Sequence, residues 1–175
     1  MSTRLIKQSA YPASPLKPVN GHRISVKDRY SPEGARLVAG VIVLSNEISH
    51  PCEPLGKYVL CISSSRHPNK IVLPKGGWED HETVEEAALR ECWEEAGVVA
   101  QVTRFLIQAK DPRPPKAISR AEYRYFEVSP RCISDDWPER DKRTRMWLTY
   151  TEAARVLADR TEMLLALQAS SIVKS

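Results

Sequence analysis

The sequence predicts an α+β protein whose mixed central β-sheet is sandwiched between helices. Two apolar, β-branched segments, residues 36–44 and 57–63, read as strands covered on both faces. A single segment, residues 84–96, carries both a start and a stop signal for a helix. Further strand-like segments follow that helix, and the chain closes on helical periodicity, an order that fits one sheet with helices packed against it. With 175 residues, 42% of them hydrophobic, the chain has room for one such domain and its core.

Each element follows from local chemistry. Residues 1–33 contain Pro12, Pro15, Pro18 and Pro32, which remove backbone donors, so they read as an irregular arm ahead of a domain over 34–173. Strand 36–44 and strand 57–63 are joined by a turn-like connection over 45–56. The polar loop Ser63-Ser-Ser-Arg-His-Pro68 leads into a short strand, 71–73, which Pro74 and Gly76-Gly77 are expected to terminate. Thr83 and Glu86 have the spacing of a capping box, and Gly97 supplies a left-handed residue just past the helix end. Residues 102–109, 123–128 and 146–150 read as strands, with a proline-rich loop at 111–115. Residues 151–157 and 162–169 have helical periodicity and are separated by Asp159-Arg160.

No apolar run approaches the roughly 20 residues of a membrane span, and the first residues lack the apolar core of a secretory signal. A soluble protein of the cytoplasm, with the nucleus also open to it, is expected, and no membrane partner. Cys52, Cys61, Cys92 and Cys132 include no CxxC pair, which argues against a zinc site or a disulfide framework and leaves free thiols. No heptad or exposed apolar segment calls for an oligomer, so a monomer is the default.

The formal charge of +4 conceals an asymmetry. Residues 79–95 hold eight acidic side chains against Arg90 alone, a local −7 that leaves +11 for the rest of the chain. A solvated acidic face or loop would account for this, and so would a cation site facing a polyanion site. The spacing decides. Glu91, Glu94 and Glu95 fall within a sector of about 100° on a helix that turns roughly 100° per residue, and such crowding of like charge calls for a cation. A dense set of hard oxygen ligands suits Mg²⁺ or Mn²⁺. Arg90, four residues before Glu94, can orient it, and Lys75-Gly76-Gly77 lets backbone approach a metal or phosphate without obstruction.

From Gly76 through Glu82 to Arg90-Glu91-Cys92-Trp93-Glu94-Glu95-Ala96-Gly97-Val98, the chain resembles the Nudix box G-x5-E-x7-R-E-U-x-E-E-x-G-U, with Cys92 where a bulky aliphatic residue is usual. The SSSRHP loop, Ile71-Val-Leu-Pro-Lys-Gly-Gly77, Arg113-Pro-Pro115, Arg143-Thr-Arg145-Met-Trp147 and Thr151-Glu-Ala153 resemble the diphosphoinositol polyphosphate phosphohydrolases, a Nudix branch that also cleaves diadenosine polyphosphates. Lys75 stands where many members have a third glycine.

The resemblance implies a Nudix fold and metal-dependent hydrolysis of a phosphoanhydride in a highly phosphorylated small molecule, inorganic polyphosphate included, with water as nucleophile. It implies Glu91 and Glu95 as metal ligands, helped by Lys75 and Gly76, and Glu94, with Arg90 beside it, as the base or a third ligand. Phosphate contacts are implied for Arg36, Ser63, Ser64, Arg66, Lys75, Gly76, Gly77, Arg143, Arg145 and Arg160, with Lys116, Arg120, Arg23 and Arg29 as further candidates. No nucleic-acid partner is expected. Two alternatives stand beside this reading: a Nudix hydrolase of another nucleoside diphosphate derivative or an RNA cap, and a non-catalytic module that holds polyphosphate or RNA.

Overall fold

β1 (Arg36–Ser45) organises the molecule because its apolar run has neighbours on both edges and layers on both faces. In a computed structural model that describes residues 27–45, 58–112, 120–172 and 174, Val38 to Val43 have almost no exposed side chain. Along one edge β1 pairs in parallel with β6 (Ala121–Ile133), from Arg36 opposite Ala121 to Val43 opposite Val128. Its other edge is shared. β4 (Lys75–Gly77) pairs antiparallel with Val38–Gly40, and β2 (Tyr58–Ser63) takes over at Leu44 and Ser45. β2 also pairs with β3 (Ile71–Val72) and with β7 (Arg145–Leu148), while β5 (Val98–Lys110) forms the far edge on β6. Among the described residues the result is the mixed seven-stranded sheet, with three helices packed on it.

α1 (Val84–Ala96) begins and ends where its local signals place it. The Thr83 amide donates to Glu86 Oε2 at 2.8 Å, and the Glu86 amide donates to Thr83 Oγ1 at 3.2 Å. Gly97 ends the helix at φ 66°, where a Cβ would also press on the Trp137 ring at 2.9 Å. Ala87, Ala88, Cys92 and Ala96 form the buried stripe that seats the helix against β1, β4 and β5. α2 (Tyr150–Val156) packs on β2 and β7, and α3 (Thr161–Ala169) on β5 and β6.

Several boundaries differ from the sequence expectation, and each has a local or a long-range cause. Lys75–Gly77 is a strand and not a terminator, because β1 supplies partners that no local signal reveals. β5 and β6 extend well past 102–109 and 123–128; register shifts at Val99/Ala100, Val102/Arg104 and Phe105/Ile107 interrupt the alternation by which their length would be read. The last strand stops at Leu148, since Thr149 and Glu152 form a second capping box that starts α2 at Tyr150. A 3₁₀ turn, Arg140–Lys142, precedes β7. The connection over 46–57, most of the proline-rich loop, and Arg23, Cys52 and Lys116 lie outside the described residues. Among the described residues, Cys61, Cys92 and Cys132 are free thiols, and no helix is long and apolar enough to cross a membrane.

The C-terminal segment is tied to the sheet by one buried carboxylate. Glu127 Oε1 accepts from Ser171 Oγ, and its Oε2 from the Ser171 amide, each at 2.7 Å; Arg104 Nη2 lies at 3.2 Å. Burial alone would raise the Glu127 pKa, but the bonds from Ser171 and Arg104 outweigh it and hold the carboxyl below its ordinary range. A depressed carboxylate contributes stability that is full above its unfolded pKa and is lost as pH falls through the folded-state value. Glu127→Gln is therefore expected to lower stability by about 1.5–3 kcal/mol at pH 7. The deficit should shrink on acidification. Denaturant titrations at pH 7 and in the acid range measure both, and equal stabilities at pH 7 would contradict the assignment.

Candidate active site

The acidic sector of α1 faces the strand that carries the two glycines. Glu95 is buried, at 9% exposure, and its Oε2 accepts from the Lys75 amide at 2.9 Å. Its other oxygen accepts from Arg143 Nη2. Glu91 lies so close to Gly76 that a Cβ there would fall inside its carboxylate, so only glycine lets strand and helix meet at this distance.

Arg90 binds the cluster together. It donates from Nη2 to Glu82 Oε1 at 2.7 Å and to the Gly77 carbonyl at 2.8 Å, and from Nε to Glu82 Oε2 at 3.0 Å. Its Nη1 reaches Glu91 Oε1 at 2.7 Å and Glu94 Oε2 at 3.3 Å. Burial disfavours its charge, but Glu82 and Glu91 outweigh burial and raise its pKa further. The fixed glutamate of the motif, Glu82, thus has a defined task. It aligns the arginine that aligns two of the three helix carboxylates, and it accepts from the Glu79 amide at 2.9 Å as well. Glu79 and His81 converge on Glu82, whose oxygens are already committed to Arg90.

The donor set suits a hard divalent cation. Burial raises the pKa of Glu91, Glu94 and Glu95, the last to about 7, with repulsion from neighbouring carboxylates adding to it. A cation among them would offset that repulsion, and the cradle kept clear by Gly76 brings Glu91 up against the backbone of β4. The three carboxylates differ in one respect. The side chains of Glu91 and Glu95 are 13% and 12% exposed, whereas that of Glu94 is 42% exposed and open to water.

The arginines implied by the resemblance divide into groups. Arg143 joins the carboxylates, donating to Glu95, to Glu139 Oε2 at 2.6 Å and to the Ser63 carbonyl at 3.1 Å. Ser63 Oγ accepts from the Thr144 amide at 2.9 Å and fixes that strand end. Arg66 and Arg160 come together at a cavity of about 680 Å³, with His67, Lys70, Tyr123 and Glu162 in its wall. Ser64 Oγ accepts from the amide of His67, a residue of that wall, at 3.3 Å. Arg145 is engaged elsewhere: it donates to the Ala96 and Ser134 carbonyls at 3.2 and 2.7 Å and stacks 4.0 Å from the Trp137 ring centre. Arg36 pairs with Asp28 at 2.7 Å beside Gly77, and Arg120 offers its carbonyl to the Arg36 amide.

Glu139 and Asp28 join the site as partners of Arg143 and Arg36. Glu139 stands four residues before Arg143, a spacing that carried a signal. Asp28, within the arm, has no such signal, and Arg29, a candidate phosphate contact in the sequence, instead donates to backbone carbonyls of Asp80 and Glu82.

A sheet with a carboxylate helix against a glycine-bearing strand defines a known class. The NUDIX domain model matches residues 35–167, and the chain belongs to the Nudix hydrolase family. It is 40% identical over 139 residues to Nudix hydrolase 16, mitochondrial, of Arabidopsis thaliana, covering 73% of this chain and 75% of that one. It is 32% identical over 130 residues to human diphosphoinositol polyphosphate phosphohydrolase 3-alpha, with 73% of each chain covered. Among solved structures, a NUDIX hydrolase from Nitrosomonas europaea superposes with a TM-score of 0.63 at 12% identity, over 77% of this chain and 87% of that one. A C. elegans Ap4A hydrolase follows at 0.58 and 19%, over 76% and 93%. These last two show the fold.

Proposed function

We propose that the protein hydrolyses phosphoanhydride bonds in diphosphoinositol polyphosphates and diadenosine polyphosphates, and in inorganic polyphosphate, with Mg²⁺ or Mn²⁺ held by Glu91 and Glu95 beside the Lys75 and Gly76 backbone. The observation that carries this reading is the carboxylate cluster of α1 set against the Lys75–Gly77 backbone, together with a cavity whose wall sets Arg66, Lys70 and Arg160 among Asp111, Asp159 and Glu162. Lys75 is depressed by burial, drawn up by Glu95, and pushed down by Arg160, so its charge is felt in both places. A short diphosphate has no use for the second site; a substrate bearing many phosphates can span both.

The bound ion supplies Lewis acidity toward water and toward the phosphate oxygens. Glu94, the accessible member of the trio, accepts the proton of the attacking water, and Arg90 holds its carboxylate in place. Arg66 and Arg160 bind the phosphates that are not cut. Cytoplasm or nucleus fits the free thiols.

The decisive experiment compares kcat/KM with Mg²⁺ and with Mn²⁺ on diphosphoinositol pentakisphosphate, diadenosine hexaphosphate, inorganic polyphosphate, ADP-ribose and capped RNA. One of the first three should dominate. A dominant rate on either of the last two overturns the substrate reading, and no rate on any substrate favours a binding module. In the same panel, Arg66→Ala should raise KM for the most phosphorylated substrate about tenfold or more and that for ADP-ribose little; an equal rise on both would remove Arg66 from the site.

A further inference from the structure

Residues 27–30 do not hang free of the domain. The Arg29 amide donates to the Trp78 carbonyl at 2.7 Å, the Asp80 amide to the Lys27 carbonyl at 3.1 Å, and the Leu37 amide to the Arg29 carbonyl at 2.9 Å. Asp28 bridges Glu79. The segment is thus a strap laid between β1 and the loop 78–82 that joins β4 to α1.

The Arg29 side chain engages the same loop. It donates from Nη2 to the Asp80 carbonyl at 2.6 Å and reaches the Glu82 carbonyl at 3.4 Å. Its guanidinium lies 4.5 Å from the Trp78 ring centre, and the Trp78 indole N–H donates to that same Glu82 carbonyl at 2.8 Å. Two side chains therefore hold the backbone of Glu82, the residue whose carboxylate takes two bonds from Arg90.

We propose that Arg29 is a positioning residue for the catalytic carboxylates, acting through the Glu82 backbone, Glu82 and Arg90. Arg29 sets where the Glu82 carbonyl stands, Glu82 sets the plane of the Arg90 guanidinium, and Arg90 sets Glu91 and Glu94. The inference rests on metal-dependent hydrolysis by this family and is independent of which phosphoanhydride is cut. It differs from a role as a phosphate contact, which would act on substrate affinity instead.

Arg29→Met keeps the length and the apolar cover of Trp78 and removes both carbonyl bonds. Three readings are taken on it: the Mn²⁺ dissociation constant by spin resonance, the Arg90 Nε–H resonance by NMR, and steady-state kinetics on diadenosine hexaphosphate. Mn²⁺ binding should weaken about fivefold, the Arg90 resonance should broaden toward that of a free guanidinium, and kcat should fall about tenfold with KM within twofold. Arg29→Lys, which can still reach one carbonyl, should fall between parent and Met variant in all three. A lower melting temperature with Mn²⁺ affinity and the Arg90 resonance unchanged overturns the proposal, and so does a raised KM at constant kcat. Should the Met variant not fold, Trp78→Phe deletes the indole donor and shrinks the ring beneath Arg29, and it must show the same signature or the proposal fails. If the parent does not turn over diadenosine hexaphosphate, the substrate reading fails while the Mn²⁺ and NMR readings still decide the role of Arg29.

Discussion

Glu94→Gln lowers kcat by at least about 100-fold, the loss expected when a positioned general base is removed, while the protein keeps its fold and its melting temperature. The structural grounds are specific to this residue. Glu94 is the most exposed of the three helix carboxylates, and its bond from Arg90, at 3.3 Å, can equally be accepted by an amide oxygen. Burial raises its pKa, and Glu79 and Glu139 add to that rise while Arg90 opposes it. The pH–rate profile carries the same information: the limb that rises as Glu94 loses its proton should be missing in the variant. Mn²⁺ affinity separates the two roles open to the side chain. Affinity within twofold of the parent marks a base, a tenfold loss marks a third metal ligand, and a variant as fast as the parent would be neither.

The second large effect concerns a methyl group. Gly76→Ala should leave the protein folded and deprive it of its cation. The added Cβ would occupy the position of the Glu91 carboxylate, the movable end of a side chain, so the strand survives and the carboxylate gives way. Once displaced, Glu91 loses its place against β4 and its 2.7 Å bond from Arg90. A Mn²⁺ dissociation constant at least about tenfold higher, with turnover down in proportion, is expected, whereas stability should change by no more than about 1–2 kcal/mol. Calorimetric titration with Mn²⁺ alongside thermal melts measures both. Unaltered Mn²⁺ binding would mean that Glu91 is not a ligand.

The helix that carries the chemistry was readable to the residue, because its cap, its stop and its carboxylate sector are all set within its own turn spacing. Thr83, Glu86 and Gly97 do in the structure what their spacing announces. β4 was hidden for the opposite reason. Two consecutive glycines look like a turn until a partner strand is known, and that partner lies far back in the chain. The strap at 27–30 escaped in the same way, since its hydrogen bonds run to residues 78–80 and 37. The box at Thr149 and Glu152 is masked in the sequence, because Thr149 alone separates the strand-like Met146-Trp147-Leu148 from Tyr150 and a single threonine fits a strand as well as a cap. Among the arginines, net charge counted how many there are and said nothing of what each is bonded to. Arg145 and Arg36 have carbonyl or carboxylate partners, while Arg66 stands at an open cavity.

The parallel pairing of β1 with β6 also bears on when activity appears in the life of the chain. Residues 36–43 can find 121–128 only after everything between them has been paid out and brought back, the kind of closure that slows folding. α1, inside that excursion and capped at both ends, can wind early on its own. The Lys75 amide and Gly76 reach Glu95 and Glu91 only once β4 has joined β1. A nascent or partly folded chain would therefore carry its catalytic helix and still lack a cation site, so ion affinity marks completion of the fold.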